Sequence, residues 1–227
     1  MKEQSLKGLL AIWTDIDKDF IPTFRKWHSE EHMSLRIKTP GWYVGHRYHG
    51  LEGAPGFLIS YETADPADLA GKSYHDSLNL PDEHTREALS HYRNSVRSIY
   101  RLVKAAGEAL PTDAPYYLAV RWNADGEDTL RWFGGRHLAD ACRVPGVRRA
   151  RGYELDDKIS HIMTEERKLY AAGPGKQKYL AVYELTSPEI VRSAAWNEAW
   201  AKEEARGMKI DHRDFFEVEF TIYPPKK

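Results

Sequence analysis

The stretch Trp27–Tyr48, WHSEEHMSLRIKTPGWYVGHRY, returns 105 positions later as Trp132–Tyr153, WFGGRHLADACRVPGVRRARGY. Trp27, His32, Pro40, Gly41 and Tyr48 are matched in order by Trp132, His137, Pro145, Gly146 and Tyr153. Outward from this core, the apolar run LLAIW (9–13) is echoed by YLAVRW (117–122). Downstream, FLISYETADP (57–66) is echoed by YLAVYELTSP (179–188), where the offset has grown to 122. The growth falls in DDKISHIMTEERKLYAAGPGKQ (156–177), rich in charge, Gly and Pro, which reads as a longer loop in the second copy. So ordered a set of matches indicates a duplication. The copies are placed at 1–110 and 116–227, with PTDAP (111–115) as linker.

Each copy reads β-α-β-β-α-β. The apolar run is a strand. DKDFIPTFRKWHSEEHMSLRIK (17–38) has helical spacing at Phe20, Phe24, Trp27 and Met33–Leu35, with Pro22 suited to a first turn and Thr39-Pro40-Gly41 as a stop. WYVGHRYHG (42–50) alternates as a strand, EGAPG turns the chain, and FLISYE returns it. A second helix is predicted from about Thr85 to Arg97, with SIYRLV as the closing strand. In the second copy Phe216, Val218, Phe220 and Ile222 alternate with Glu217, Glu219, Thr221 and Tyr223, so its last strand faces two environments. The fold class is therefore α+β: two tandem ferredoxin-like repeats whose antiparallel sheets form an α/β-barrel.

On Trp27-x3-Glu31-His32, Pro40-Gly41, the aromatic second strand and their echoes at Trp132, His137 and Pro145-Gly146, the chain resembles the dimeric α/β-barrel superfamily in tandem-fused form. The resemblance covers nearly the whole chain and points to EthD-like or muconolactone-isomerase-like members. The superfamily also holds cofactor-free monooxygenases, polyketide cyclases and the haem-binding chlorite-dismutase group. It implies a chamber for a small molecule between the two halves, and a homodimer as one form of assembly. A shared fold leaves the reaction open.

Composition narrows the field. Of 227 residues, 41% are hydrophobic, enough for a core, and 33 basic against 34 acidic side chains give no net field to draw in nucleic acid or an anionic membrane. Cys142 is the single cysteine, which excludes internal disulfides and a cysteine-rich metal site. No apolar run reaches the ~20 residues of a membrane helix, and the N-terminus has no signal-peptide core, so a cytoplasmic protein is expected. Seven Trp and 13 Tyr suit a binding cavity as well as a core.

Seven of ten histidines fall in the first copy, which is therefore expected to carry the acid–base work. His32, repeated as His137, is the leading candidate, since imidazole titrates near neutrality; equally, both could brace helix against sheet. On the second strand Trp42, Val44, His46 and Tyr48 share one face and Tyr43, Gly45, Arg47 and His49 the other, pairing His46 with Tyr48 as an acid–base and hydrogen-bonding set. His75, in a loop-like stretch before the second helix, completes the catalytic candidates; His84, nearby, ranks lower. Trp27 and Trp42 are expected as apolar walls, Tyr43, His28 and His137 as substrate contacts, and Arg47 or Arg151 as an anion anchor. His28-Ser29-Glu30-Glu31-His32 matches the H-x-x-E-H zinc signature, yet Phe133 stands at the position equivalent to His28 and a third ligand is missing, so no metal is expected. Dinucleotide, Walker and G-x-S-x-G motifs are absent. The expected protein is a cofactor-independent acid–base isomerase, cyclase or lyase acting on a small aromatic or apolar carboxylate or phenol. The alternatives are a cofactor-free monooxygenase of phenols, a non-catalytic ligand-binding barrel and, by family analogy, a haem protein using His137 or His161.

Overall fold

A computed structural model describes residues 6–109, 112, 114–201 and 203–225. Part of the predicted linker, at Pro111 and Asp113, lies outside them. The strands are β1 (Gly8–Ile16), β2 (Trp42–Gly50), β3 (Phe57–Thr63), β4 (Tyr92–Gly107), β5 (Tyr116–Ala124), β6 (Val147–Leu155), β7 (Tyr179–Leu185) and β8 (Met208–Ile222). The α-helices are α1 (Ile21–Trp27), α2 (Met33–Arg36), α3 (Lys72–Leu78), α4 (Glu83–Ser90), α5 (Glu127–Trp132), α6 (Leu138–Ala141), α7 (Asp157–Ser160), α8 (Glu165–Tyr170) and α9 (Ala194–Trp200).

Two compact units are present. Among the described residues, one holds 6–101, Asp156–Gly175 and 218–225; the other holds Leu102–Leu155 and Lys176–Glu217. In the first, the strand order is β4-β1-β3-β2-β8; in the second it is β8-β5-β7-β6-β4. β4 and β8 are long enough to serve both sheets, so the hydrogen-bonded order closes on itself as an eight-stranded barrel. β1, β3 and β2 pair antiparallel, as do β5, β7 and β6. The α+β class, the antiparallel sheets and the barrel are as the sequence predicts.

The repeat is visible in local geometry. Between α1 and α2 the residues His28–His32 form a wide π-helical turn, and Phe133–His137 do the same between α5 and α6. The turn sits at the same place in both copies and carries the matched histidines. Such wide turns frequently accompany functional sites. The Pro-Gly stop has a steric cause: Gly41 and Gly146 have φ of +87° and +91°, and a Cβ there would lie 2.6 Å from Asp68 and 2.4 Å from Ile190.

Within the first unit the core lies between the sheet and its helices, built on Leu10, Phe24, Met33, Ile37, Ile59, Tyr61, Leu89 and Ile99. β3 is buried at every position, which explains its nearly unbroken apolar run. Three expectations differ from the structure. The helix predicted over 85–97 ends at Ser90, and β4 starts at Tyr92, where it pairs with Ile16 of β1. The stretch around His75 is helix α3, not loop. The long loop of the second copy folds into α7 and α8, with Asp156 and Thr164 capping their first turns. It docks along β4 through Arg97 N–H to the Gly173 carbonyl at 2.9 Å and Asp156 N–H to the Ile99 carbonyl at 2.8 Å.

Candidate functional site in the first unit

A bulge in β2 decides what the site contains. Gly45 and Arg47 lie opposite Tyr61 and Ile59, while His46 and Tyr48 lie opposite Ser60 and Leu58, so these pairs use opposite faces of the sheet. The register slips between Trp42 and Val44, which turns Trp42 from the predicted His46 face onto the helix-side face. There its ring packs on Tyr61 at 4.7 Å and Tyr74 at 4.9 Å. Gly45 has no side chain because Tyr61 and Met33 occupy that space; a Cβ would lie 2.8 Å from the Tyr61 ring.

Between this face and the helices is a cavity of about 30 Å³. The sheet contributes Leu10, Ile12, Trp42, Ile59, Tyr61 and Arg97; the π turn and α2 contribute His28, His32 and Arg36. Tyr74, Leu78, Leu89 and Tyr92 line another side, and the inserted segment closes the cavity with Glu166, Arg167 and Tyr170.

His28 and His32 lie one above the other, ring centres 5.6 Å apart, with Trp27 against His32 at 4.6 Å. Burial holds both imidazoles well below their ordinary pKa, helped by the Arg47 and Arg36 cations at His28 and by Arg36 at His32. Both are therefore neutral at pH 7. Arg47 donates from Nη1 to His28 Nδ1 at 3.2 Å. Guanidinium can only donate, so His28 accepts at Nδ1 and carries its proton on Nε2. Arg47 is itself held by Glu219 at 2.5 Å, Ser29 at 3.0 Å and the Arg25 carbonyl. The predicted anion anchor thus orients a histidine, and its guanidinium faces protein groups. Arg36 is buried against Glu166 and donates to Ser77 at 2.7 Å. Arg97 reaches the Tyr74 hydroxyl at 3.3 Å. Two buried donors, Tyr61 Oη and Trp42 Nε1, have no hydrogen-bond partner among the described residues.

Of the residues singled out from sequence, His28, His32 and Trp42 line this cavity, Trp27 packs behind His32 and Arg47 behind His28. His46 is on the opposite sheet face, bonded through Nδ1 to Thr221 at 2.9 Å and beside Tyr48. The expected His32–His46 acid–base pair is therefore corrected: the sheet separates them. Tyr43 sits in the bulge and does not line the cavity, and His75 is half-buried on α3 beside Tyr74. Exposed His84 pairs with Glu31. Tyr61, Tyr74, Arg36, Arg97, Glu166 and Tyr170 were missed. The offset of 122 that aligns Tyr61 with Tyr183 was the available signal for one of them.

The second unit has no equivalent cavity lining. At the positions of His28 and Arg47 stand Phe133 and Gly152, and the Phe133 ring fills the space, lying 2.5 Å from where a Gly152 Cβ would be. His137 Nε2 is hydrogen-bonded to Tyr183 Oη at 2.7 Å, and Trp200 packs on the imidazole at 4.4 Å. Burial lowers the His137 pKa to about 4. Arg151 donates to Glu184 at 2.7 Å. A haem does not fit His137, whose Nε2 is engaged and whose ring is packed by Trp132, Phe133 and Trp200. His161 is exposed and bonded to the Asp157 carbonyl. Among the described residues no group of three or more His, Cys, Asp or Glu is arranged to hold a metal ion, and His28 of the H-x-x-E-H match faces a guanidinium.

No protein-family model and no curated protein matches the chain. Solved structures do. An anthrone oxidase-like protein aligns at 12% identity over 99% of this chain and 96% of its own, with a TM-score of 0.64. The shared fold is a ferredoxin-like α/β barrel. A chlorite dismutase variant from Candidatus Nitrospira defluvii aligns at 9% identity, 96% and 93% coverage and a TM-score of 0.61. A Lactobacillus acidophilus NCFM protein assigned as a monooxygenase gives 10%, 96% of both chains and 0.56. At such identities the likeness carries the fold alone, and it does not single out the EthD-like or muconolactone-isomerase-like members expected from sequence.

Proposed function

We propose that the chain is a cofactor-independent acid–base enzyme acting on a small aromatic or apolar carboxylate or phenol at the first-unit cavity. The observation that carries the reading is the pair of neutral, stacked imidazoles, His28 and His32, lining one cavity with the unsatisfied Tyr61 hydroxyl. His32 makes no hydrogen bond to protein among the described residues, so a ring lone pair is available to take a proton. His28, with its proton fixed on Nε2 by Arg47, donates to the oxygen that gains charge. Tyr61 supplies a second donor. The acid role expected of His46 passes to these two. Products of this first step, an enolate or phenolate, lead to isomerisation, cyclisation or C–O and C–C cleavage.

At about 30 Å³ the cavity takes a polar group rather than a ring, so ring binding requires α3 or α8 to yield. A second reading, cofactor-free oxygenation of a phenolate, draws support from the names of the anthrone oxidase-like and monooxygenase neighbours. Both readings share the deprotonation.

Screening phenolic and enolisable acids by ultraviolet absorbance, with dissolved oxygen recorded in parallel, tests them. His32→Gln is expected to lower kcat by about 10²–10⁴-fold, the usual contribution of a positioned base, while His46→Gln leaves it near wild type. Oxygen consumed in step with substrate selects the second reading. Saturable binding without turnover, or a fully active His32→Gln, rejects both.

A further inference from the structure

We infer that the first-unit cavity is a receptor for a small carboxylate, so that an acid substrate enters carboxylate first. The inference rests on the enzyme reading for the word substrate, and on hydrogen-bond accounting for the rest.

Buried polar groups in folded proteins are nearly always paired. This cavity breaks that rule in one direction. Trp42 and Tyr61 line the void, and their Nε1 and Oη are buried with no partner among the described residues. His28 adds a third donor, because Arg47 occupies its acceptor nitrogen and leaves the proton on Nε2. Charge has the same bias. Arg36, Arg97 and Arg167 line the cavity against one carboxylate, Glu166. Arg167 spends its guanidinium on the carbonyls of Ser160, Ile162 and Ala172, and Arg36 is paired with Glu166 and Ser77. Arg97 makes one side-chain hydrogen bond, at 3.3 Å to Tyr74 Oη, and otherwise feels Glu166 only through space. Surplus donors with an undercompensated cation call for an acceptor-only, negatively charged group. The volume agrees: a void of about 30 Å³ holds about two waters, the bulk of a carboxylate.

The duplication supplies an internal control. In the second unit each of these donors has been removed or satisfied. Val147 stands for Trp42, Phe133 with Gly152 for His28 with Arg47, and Tyr183 donates to or accepts from His137 at 2.7 Å. Trp196 and Trp200 stand where the first copy has Tyr74 and Leu78, and both pack on Tyr183. At this place one copy pairs its tyrosine hydroxyl with its histidine; the other leaves the hydroxyl for a ligand.

Sodium formate is the probe and formamide, its neutral isostere, the control, both titrated into the full chain at constant ionic strength. The readout is the indole N–H resonance of Trp42, assigned with Trp42→Phe. Formate is expected to bind saturably at about millimolar Kd, near the ceiling for a ligand of its size, and to move that resonance downfield, while formamide does not. Tyr61→Phe is expected to weaken formate at least tenfold. The double variant His28→Phe/Arg47→Gly, which installs the pair the second unit already packs, is expected to abolish binding with the other indole resonances in place. An unmoved Trp42 resonance, equal response to formamide, or full binding by the double variant overturns the inference. Formate binding with an active His32→Gln sinks the acid–base reading alone; turnover lost in His32→Gln without formate binding sinks the carboxylate site alone.

Discussion

At the scale of single residues, Tyr61 and Tyr183 are the same position in two copies with opposite hydrogen-bond fates. Tyr183 is bonded to His137, and Tyr61 has no partner. An unsatisfied buried hydroxyl costs about 1–3 kcal/mol, so Tyr61→Phe removes a penalty and is expected to leave stability unchanged or raise it by about 1 kcal/mol. Tyr183→Phe strands the buried His137 nitrogen and is expected to cost about 1–2 kcal/mol. Urea unfolding of the two variants checks this; equal losses would mean that Tyr61 is paired in solution. A stabilising substitution that abolishes ligand binding is the usual mark of a position kept for function. His32 was legible in the sequence because duplication preserves its letter. Tyr61 was hidden in an apolar strand, where a tyrosine reads as core until its hydroxyl is followed. That Trp42 leaves the His46 face and joins His32 was illegible for a definite reason. Period two is a rule for regular strands, and the bulge between Trp42 and Val44 breaks it where the site begins.

Among elements, the inserted segment carries the most consequence. Its composition of charge, Gly and Pro reads as loop, and only its caps, Asp156 and Thr164, announce the two short helices. Helices of this length have no stability of their own, so tertiary contacts hold them, and single-sequence pattern cannot show those. The decisive contact is Glu166 of α8 with Arg36 of α2, both buried. Burial outweighs the arginine and raises the Glu166 carboxyl above its usual range. Removing one member leaves the other charged and unpaired. Glu166→Ala is expected to cost about 3–5 kcal/mol, whereas Arg36→Met/Glu166→Leu recovers most of that, since an apolar pair of similar bulk pays no desolvation. Thermal melts of the three proteins decide it. A Glu166→Ala variant within about 0.5 kcal/mol of wild type, the range of ordinary surface substitutions, would show that the pair does not hold α8 in place.

For the whole molecule, duplication has placed buried histidines in both units, and acid should find them. His28, His32 and His137 all have folded-state pKa values pushed down, by burial first, His137 to about 4. Once unfolded, each returns to about 6.5. As pH falls below that value the unfolded chain binds protons the folded chain refuses, and stability drops by up to about 1.4 kcal/mol per pH unit for each histidine. Stability is therefore expected to be full above pH 6.5 and to decline from there toward pH 5, before ordinary carboxylates begin to titrate. For His137 alone the loss at pH 5 is about 2 kcal/mol. Glu166 acts in the other sense, since a raised carboxyl binds its proton more readily when folded, and it blunts the decline without reversing it. The double variant His28→Phe/Arg47→Gly removes one of the three titrations and should flatten the slope of urea midpoint against pH between 7 and 5 by about a third. A midpoint that holds or rises over that range would mean the imidazoles are hydrated, and with them would go the neutral histidines on which the acid–base reading depends.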